Sequence, residues 1–353
     1  MLKVGIIGAG SISVEHINPY LKNGKCEVVA IADLNLDLAK KRAAEFGIAK
    51  AYSDYHDILN DKEIDAISIV TPTFTHKNIV IEAIKSGKHI LCEKPPALNA
   101  DDVLECSELS KKSGKCLMYA FVCRFRPQMQ YLKKFFDAGK MGKIVYAEGL
   151  RFHRCDSTKG WFLSKAKAGG GPLIDAHIHE LDMIMYLMGY PKVKSVLGFT
   201  SDVNKDLPTK VQGMNEGWIS SDKNSYERDV ENVAAAMITL ENGACIHLRT
   251  STVLCSVTQN TAVEIAGEKA GIRMEPHTPG KELVMVECTE EGYFRDVKPV
   301  IEDVSPYYGQ VDHFVDCCLN GTECICKTEE AVEIMRIMDA IYKSAETKQP
   351  INF

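Results

Sequence analysis

The sequence predicts an α/β protein whose first third is a doubly wound parallel sheet and whose remainder is built from strands joined by turns. Three observations predict it. Apolar runs alternate with helical stretches through about residue 121, the pattern of right-handed strand–helix–strand crossovers. A glycine-rich turn joins the first strand to the first helix. Beyond residue 140, strand-like runs follow one another with turns between them. At 353 residues the chain exceeds one ordinary domain and can bury two cores. The division is placed at 1–121 and 122–353.

Composition narrows the function classes. Hydrophobic residues make up 45% and charged residues 25%, the balance of a soluble globular protein. A net charge of −6, with no long lysine or arginine run, argues against a nucleic-acid surface. The apolar run in "MLKVGIIGAG" is too short for a signal peptide or membrane helix, and no other segment reaches spanning length. The expectation is a cytoplasmic protein without a membrane or nucleic-acid partner. The 13 cysteines are scattered, with "CCLNGTECIC" (317–326) the one cluster. A structural zinc site usually needs two tight pairs; Cys317–Cys318 and Cys324–Cys326 fit that poorly. They read as reduced thiols.

The elements follow in order. "KVGIIGAGSIS" is a strand opening through a turn into a helix that runs through Tyr20, and "CEVVAIAD" is the next strand. Gly8 permits the tight turn. Gly10 lets the backbone approach a pyrophosphate at the helix N-terminus, where Ser11 and Ile12 begin the helix. A third glycine belongs at position 13, but Ser13 stands there. Asp33 ends the second strand where a ribose-binding acid belongs. Its charge would repel a 2′-phosphate, and Leu34 and Asn35 supply no cation, so NAD is favoured over NADP. "AISIVTP", "HILCEKP" and "CLMYAFV" are further strands, with "HKNIVIEAIKSG" and "ADDVLECSELSKKSG" as helices. Ligands bind at the carboxyl ends of such strands. Thr71, Pro72 and His76 of "TPTFTH" fall there, as do Glu93 and Lys94 of "CEKPP".

"GGGPLIDAHIHELD" (169–182) can be read two ways. His177 and His179 on a strand would make a metal pair; Asp175 and His179 on a helix would share a face. Pro172 at a first helical position, Gly189 at the end, and Ile174, Ile178, Leu181, Ile184, Met185 and Met188 at three- and four-residue steps predict one helix over 172–188. At about 100° per residue, Asp175, His179 and Asp182 fall within roughly 60° of one another. His177 points away, among the apolar positions. No catalytic metal is expected.

In the second part, "KIVYAEGLRFHR", "KVKSVLGFT", "NVAAAMITL", "ACIHLRTSTV", "AVEIAG" and "ELVMVEC" are strand-like. "DHFVDCCLNG" and "EEAVEIMRIMDAIYKSAE" are helical. The polar stretch 200–230 has no period and is open to three readings: an arm over the site, a subunit contact, or a loop.

Taken together, "GAGSIS", Asp33, "TPTFTH", "CEKP", "RFRP" (124–127), the glycine run leading to Asp175 and His179, and "LENGA" (240–244) resemble the Gfo/Idh/MocA family, named for glucose-fructose oxidoreductase and inositol dehydrogenase. The resemblance spans essentially the whole chain. It implies an N-terminal Rossmann domain and a C-terminal α/β domain on a large, mostly antiparallel open sheet. It implies NAD-dependent hydride transfer at a secondary hydroxyl of a sugar, inositol or sugar derivative. Lys94, Asp175 and His179 form the implied catalytic set, and Arg124, His153, Trp161 and His177 are candidates for substrate contact. The chemistry agrees: histidine titrates near neutrality and suits a base, Asp175 could orient it, and Lys94 could stabilise a developing alkoxide. An alternative is a redox-neutral hydrolase or lyase that retains NAD and passes through a transient ketone. Regulators of this fold lose the lysine and histidine; this chain keeps both. The family commonly has glycine where this chain has His177, which leaves the substrate class open. An open sheet face needs covering, so a homo-oligomer, dimer or tetramer, is expected.

Overall fold

The computed structural model describes residues 1–153, 160–203, 227–254, 256, 260–276 and 282–353. Most of the polar stretch 200–230, residues 204–226, lies outside the described residues.

The first sheet comprises β1 (Leu2–Ile7), β2 (Cys26–Ala32), β3 (Lys50–Tyr52), β4 (Ala66–Ile69), β5 (His89–Cys92) and β6 (Leu117–Tyr119). Every pairing is parallel, and the order is β3-β2-β1-β4-β5-β6. The crossovers are α1 (Ile12–Asn23), α2 (Leu36–Phe46), α3 (His56–Asn60), α4 (Thr73–Lys85) and α5 (Ala100–Ser113). Helices cover both faces, so β4 is buried at every residue and reads as a continuous apolar run rather than an alternating one. The strand order turns back between β1 and β4, which opens the crevice where such sheets bind ligands. The edge strand β3 is three half-buried residues and carries no apolar run, so nothing in the sequence marked it.

The second sheet has nine strands: β7 (Ile144–Phe152), β8 (Val193–Ser201), β9 (Val233–Leu240), β10 (Cys245–Ser251), β11 (Thr261–Gly267), β12 (Ala270–Met274), β13 (Val284–Cys288), β14 (Phe294–Val297) and β15 (Ile351–Asn352). Its order is β14-β13-β12-β11-β7-β10-β9-β8-β15, antiparallel except for the central β7–β10 pair. The helices are α6 (Pro127–Asp137), α7 (Lys165–Ala168), α8 (Pro172–Asp175), α9 (Ile178–Met188), α10 (Pro306–Asn320) and α11 (Thr328–Thr347). α9 packs across β7 and β11. The last two helices return to the first sheet, α10 onto α1 and α11 onto α5.

The seam between the two sheets is closed by Arg124, in the short helical turn Val122–Phe125 that follows β6. The sequence reading placed Arg124 against substrate, and the structure corrects this. Its side chain is fully buried, with Nε 3.1 Å from both carboxylate oxygens of Asp182 and Nη2 2.6 Å from Oδ1. Nη1 donates to Ile325 O at 2.6 Å and to the Glu330 carboxylate, and Nη2 donates to the Tyr190 hydroxyl. The guanidinium also lies over the rings of Phe121, Tyr186 and Tyr190. A cation this deep has to spend all its donors on protein groups. Asp182 is corrected with it: fully buried on Arg124, it is not part of an open acidic face. Asp182→Ala should lower unfolding stability by roughly 3–5 kcal/mol, since it strands a buried guanidinium. Glu330, on the same cation, keeps more solvent contact, so Glu330→Gln should cost less. Denaturant titration measures both, and an Asp182→Ala midpoint equal to that of the parent protein would dismiss the hub.

Candidate active site

The glycine turn after β1 is shaped by sterics. Gly8 has φ +105°, and a Cβ there would stand 2.5 Å from Val70 O at the end of β4. Gly10 is the opposite case: a Cβ would meet nothing within 4 Å, because the residue faces open space at the start of α1. Ser13 replaces the third glycine without loss of packing, since it is fully buried and its hydroxyl donates to Gly10 O at 2.6 Å. Asp33 closes the turn from β2, with Oδ2 accepting from Ala9 N and Oδ1 from Asn35 N, both at 2.8 Å. These residues border a cleft of about 700 Å³, a size within the usual range for small-molecule sites. Gly8, Gly10, Ser11, Ile12, Asp33, Thr71 and Pro72 line it. An open glycine at a helix N-terminus, with a carboxylate beside it, fits the pyrophosphate and ribose of a dinucleotide.

Lys94 follows β5 and stands beyond that cleft, not in its lining. His76 and Glu93, expected at the cofactor, also stay out of the lining and hold the lysine turn from behind. His76 is buried with Nε2 2.8 Å from Thr71 O and Nδ1 2.8 Å from Pro95 O. The Glu93 carboxylate accepts from Lys94 N at 3.0 Å and meets buried His16 at 3.0 Å. The cleft edge at Thr71 is thus one imidazole ring away from the Lys94–Pro95 turn.

Lys94 Nζ donates to the carbonyl oxygen of Asp175 at 2.5 Å and to its Oδ1 at 3.1 Å. This contact overturns the single helix expected over 172–188. In a continuous helix the Asp175 carbonyl would accept from His179 N. Here the lysine occupies that carbonyl, His179 N turns to Ala176 O at 3.3 Å, and His177 N reaches back five residues to Pro172 O at 2.9 Å. The helix therefore breaks at Ala176–His177 into α8 and α9, as happens where a side chain inserts into the ladder. Both predicted ends stand: Pro172 is the first residue of α8 and Gly189 caps α9 with φ 74°. The glycine run has its own reason. A Cβ at Gly171 would lie 1.9 Å from Glu231 O, and Glu231 caps α8 by accepting from Gly171 N and Leu173 N.

His179 is half-buried at the start of α9, its Nδ1 3.8 Å from Cys123 Sγ. Burial, then the positive charges of Lys94 and Arg151, hold its pKa well below the ordinary histidine value of 6.5. The imidazole is neutral at neutral pH and able to accept a proton. Arg126 contributes to the same field. Its buried Nε has no hydrogen-bond partner, so it remains a donor without an acceptor. Of the two arginines in "RFRP", Arg124 is buried in the seam and Arg126 is the one that acts on His179 through its charge. Arg124 lies within the helical turn Val122–Phe125, whereas Arg126 follows that turn in extended backbone.

His177 is also corrected. It has no exposure and lies inside, Nδ1 3.1 Å from Glu180 Oε2. Gly149 on β7 gives room to its partner Glu180, since a Cβ there would stand 3.0 Å from Glu180 Cβ and 2.9 Å from Leu248 Cδ2. Burial alone would raise the Glu180 carboxyl, but Arg151, at 2.7 and 3.0 Å, and His177 outweigh it and hold it well below the usual range. His153 is half-buried just past β7, its N donating to Ser251 O at 2.8 Å. Trp161 lies on the wall of the 700 Å³ cleft, stacked on Phe162, and Lys167 of α7 joins it there. Lys167 and Arg151 carried no sequence signal, because each reaches the site across a tertiary contact.

The fold agrees with comparisons to known proteins. Residues 2–121 match an oxidoreductase family's NAD-binding Rossmann fold, and residues 133–353 match its C-terminal alpha/beta domain. The chain is 31% identical over 353 residues to D-glucoside 3-dehydrogenase of Escherichia coli (strain K12), covering 98% of this chain and 96% of that one. It is 32% identical over 188 residues to myo-inositol 2-dehydrogenase of Thermotoga maritima, about half of each chain. The solved structure of a levoglucosan dehydrogenase with NADH and levoglucosan shares the fold, with a TM-score of 0.85 over 99% of both chains at 24% identity. The chain belongs to the Gfo/Idh/MocA family of oxidoreductases.

Proposed function

We propose that this chain is an NAD-dependent oxidoreductase acting at a secondary hydroxyl or ketone of a sugar, inositol or sugar derivative. The observation that carries the proposal is the Lys94 ammonium held on Asp175 beside a half-buried, neutral His179, just beyond a dinucleotide-shaped cleft. Full-length similarity to a glucoside dehydrogenase supports a sugar-type substrate. The cofactor, when bound, exchanges hydride with the reacting carbon. Gly8, Gly10, Ser11 and Ile12 would hold its pyrophosphate, Asp33 its ribose, and Thr71, Pro72 and Trp161 its remaining wall.

The chain's own residues manage the proton and the charge. His179 Nδ1 lies 3.8 Å from Cys123 Sγ; in the tautomer that carries its proton on Nδ1, Nε2 holds the lone pair and takes the hydroxyl proton. Lys94, whose remaining donor capacity is not used by Asp175, stabilises the oxygen as it gains charge. Asp175 positions Lys94 through two oxygens. Arg126 and Arg151 keep the region positive, which favours an oxyanion and disfavours imidazolium.

Residues 1–121 serve as cofactor domain and 122–353 as substrate and oligomerisation domain. On the outer face of the second sheet Leu197 pairs with Met237, both about half exposed, with Val145 and Phe199 also open. This apolar exposure supports a homo-oligomer, dimer or tetramer. No helix among the described residues is long and apolar enough to cross a membrane. The free thiols favour the cytoplasm.

Lys94→Met should leave NAD binding within several-fold and cut kcat by about 10²–10³. Its residual activity should also lose rate at a higher pH than the parent does on acidification. A positive charge that depresses the His179 pKa is then gone. Full turnover in this variant would remove the lysine from the mechanism.

His179→Ala should lower kcat by about 10²–10⁴ with a smaller change in KM. In the parent protein, oxidation should be level across neutral pH and fall only well below 6.5, because the base must be deprotonated and its pKa is depressed. A pH–rate profile settles both. A His179→Ala variant with parental kcat and profile would assign the proton elsewhere.

Asp33, its carboxylate facing the ribose position, should make kcat/KM higher with NAD than with NADP. The measurement is a direct comparison of the two, and an NADP preference would refute the role given to Asp33.

A further inference from the structure

The sequence spacing of the cysteines spoke against a metal site, but the fold brings together sulfurs that the sequence separates. The Sγ atoms of Cys116, Cys317 and Cys324 all lie within 4.8 Å of one another, and they are the one such group of potential metal ligands among the described residues. They come from three separate places. Cys116 immediately precedes β6 in the first sheet, Cys317 lies in the last turn of α10, and Cys324 is in the connection from α10 to α11. Cys317 is buried, whereas Cys116 and Cys324 are half-buried, so the cluster is reachable from solvent. No part of it touches the dinucleotide cleft.

We propose that Cys116, Cys317 and Cys324 form a binding site for a thiophilic d10 cation of the zinc class, with water in the fourth position. The choice of metal follows from the donors. Thiolate is a soft ligand that selects zinc-like ions over magnesium or calcium, which take oxygen. Zinc–sulfur bonds of about 2.3 Å in a tetrahedron set the sulfurs roughly 3.8 Å apart. The observed separations need only a contraction of about 1 Å at most to reach that. His313 borders the cluster, Nε2 3.5 Å from Cys317 Sγ, but accepts from Ile325 N at 3.0 Å. That bond engages its lone pair and leaves the fourth position to solvent. As the ion binds, each coordinating thiol gives its proton to the solvent, and no redox partner is needed. The ion would join the strand-end segment at 116 to α10 and to the 321–327 connection. It would thereby tie the first domain to the C-terminal helices.

The test uses the full chain, reduced with a phosphine and stripped with a chelator. Zinc ion is then titrated in competition with a chromophoric chelator, and alkylation of individual cysteines is mapped by mass spectrometry with zinc, magnesium or neither. The expected result is one zinc per chain. Zinc, but not magnesium, should shield Cys116 and Cys324 from alkylation while leaving exposed Cys288 reactive. Cys317→Ser and Cys324→Ser should each weaken zinc binding by at least the roughly 10–100-fold seen when outer-shell partners are lost. Cys245→Ser, on β10 away from the cluster, should not. Cys324 is in a connecting segment, so its variant tests the site even if Cys317→Ser fails to fold. NAD binding reports the integrity of each variant. Zinc affinity unchanged in Cys324→Ser, shielding absent in the parent protein, or a disulfide among the three as the form isolated from cells would each overturn the proposal.

Discussion

The structure depends most on the buried guanidinium of Arg124. It sits where the chain leaves the first sheet, and its partners come from α9, from the connection to α11 and from α11 itself. Replacing such a network wholesale with apolar side chains can be neutral, but removing one partner leaves a charge with nowhere to go. Its larger consequence is geometric. Asp182 is one turn beyond His179 on α9, so fixing Asp182 on Arg124 fixes the rotation of that helix about its axis. With Asp182 turned to the seam, His179 is held beside Cys123 and in the field of Lys94 and Arg151. A residue with no exposure thereby sets the direction of one that has some.

The second constraint is electrostatic and acts over the same few turns. Lys94 interrupts the helix by taking the Asp175 carbonyl, which aims its ammonium at the start of α9. Arg151 and Arg126 add two further charges. Glu180, the anion that acts against this field, is already engaged by Arg151 and His177 and offsets little of it. A positive environment of this kind weakens histidine as a base but stabilises the oxyanion that proton loss creates. In the proposed mechanism both effects would fall on one reacting oxygen, a poorer base being exchanged for a better place for charge.

Ile325 links the hub to the cysteine cluster. Its carbonyl accepts from Arg124 and its amide donates to His313, next to Cys317. Anything that orders residues 324–326 therefore bears on the buried cation and on α9. The C-terminal helices are consequently part of the scaffold of the active site, although they contribute no residue to the cleft.

What the sequence determined by itself were the features that local physics decides. Alternating apolar and helical runs specified the parallel sheet, since buried strands must be apolar at consecutive positions. Gly8, Gly10 and Asp33 specified the dinucleotide cleft, because only glycine tolerates that turn and that approach. Pro172 and Gly189 marked both ends of a helical stretch. Tertiary structure alone decided how these parts act on one another. A lysine 81 residues away broke the predicted helix by taking one carbonyl. Arg124 and Asp182, polar enough to belong in a cleft, were each other's partners, and Arg126 acts on His179 through its charge instead. Short strands such as β3, β14 and β15 exist because neighbouring strands offer them hydrogen bonds, not because of their own periodicity. The three clustered sulfurs are separated by up to 208 residues in sequence and meet only when α10 folds back onto the first domain. Propensity, turns and caps act within a few residues and can be read from them; charge pairing, burial and ligand geometry act through space and cannot.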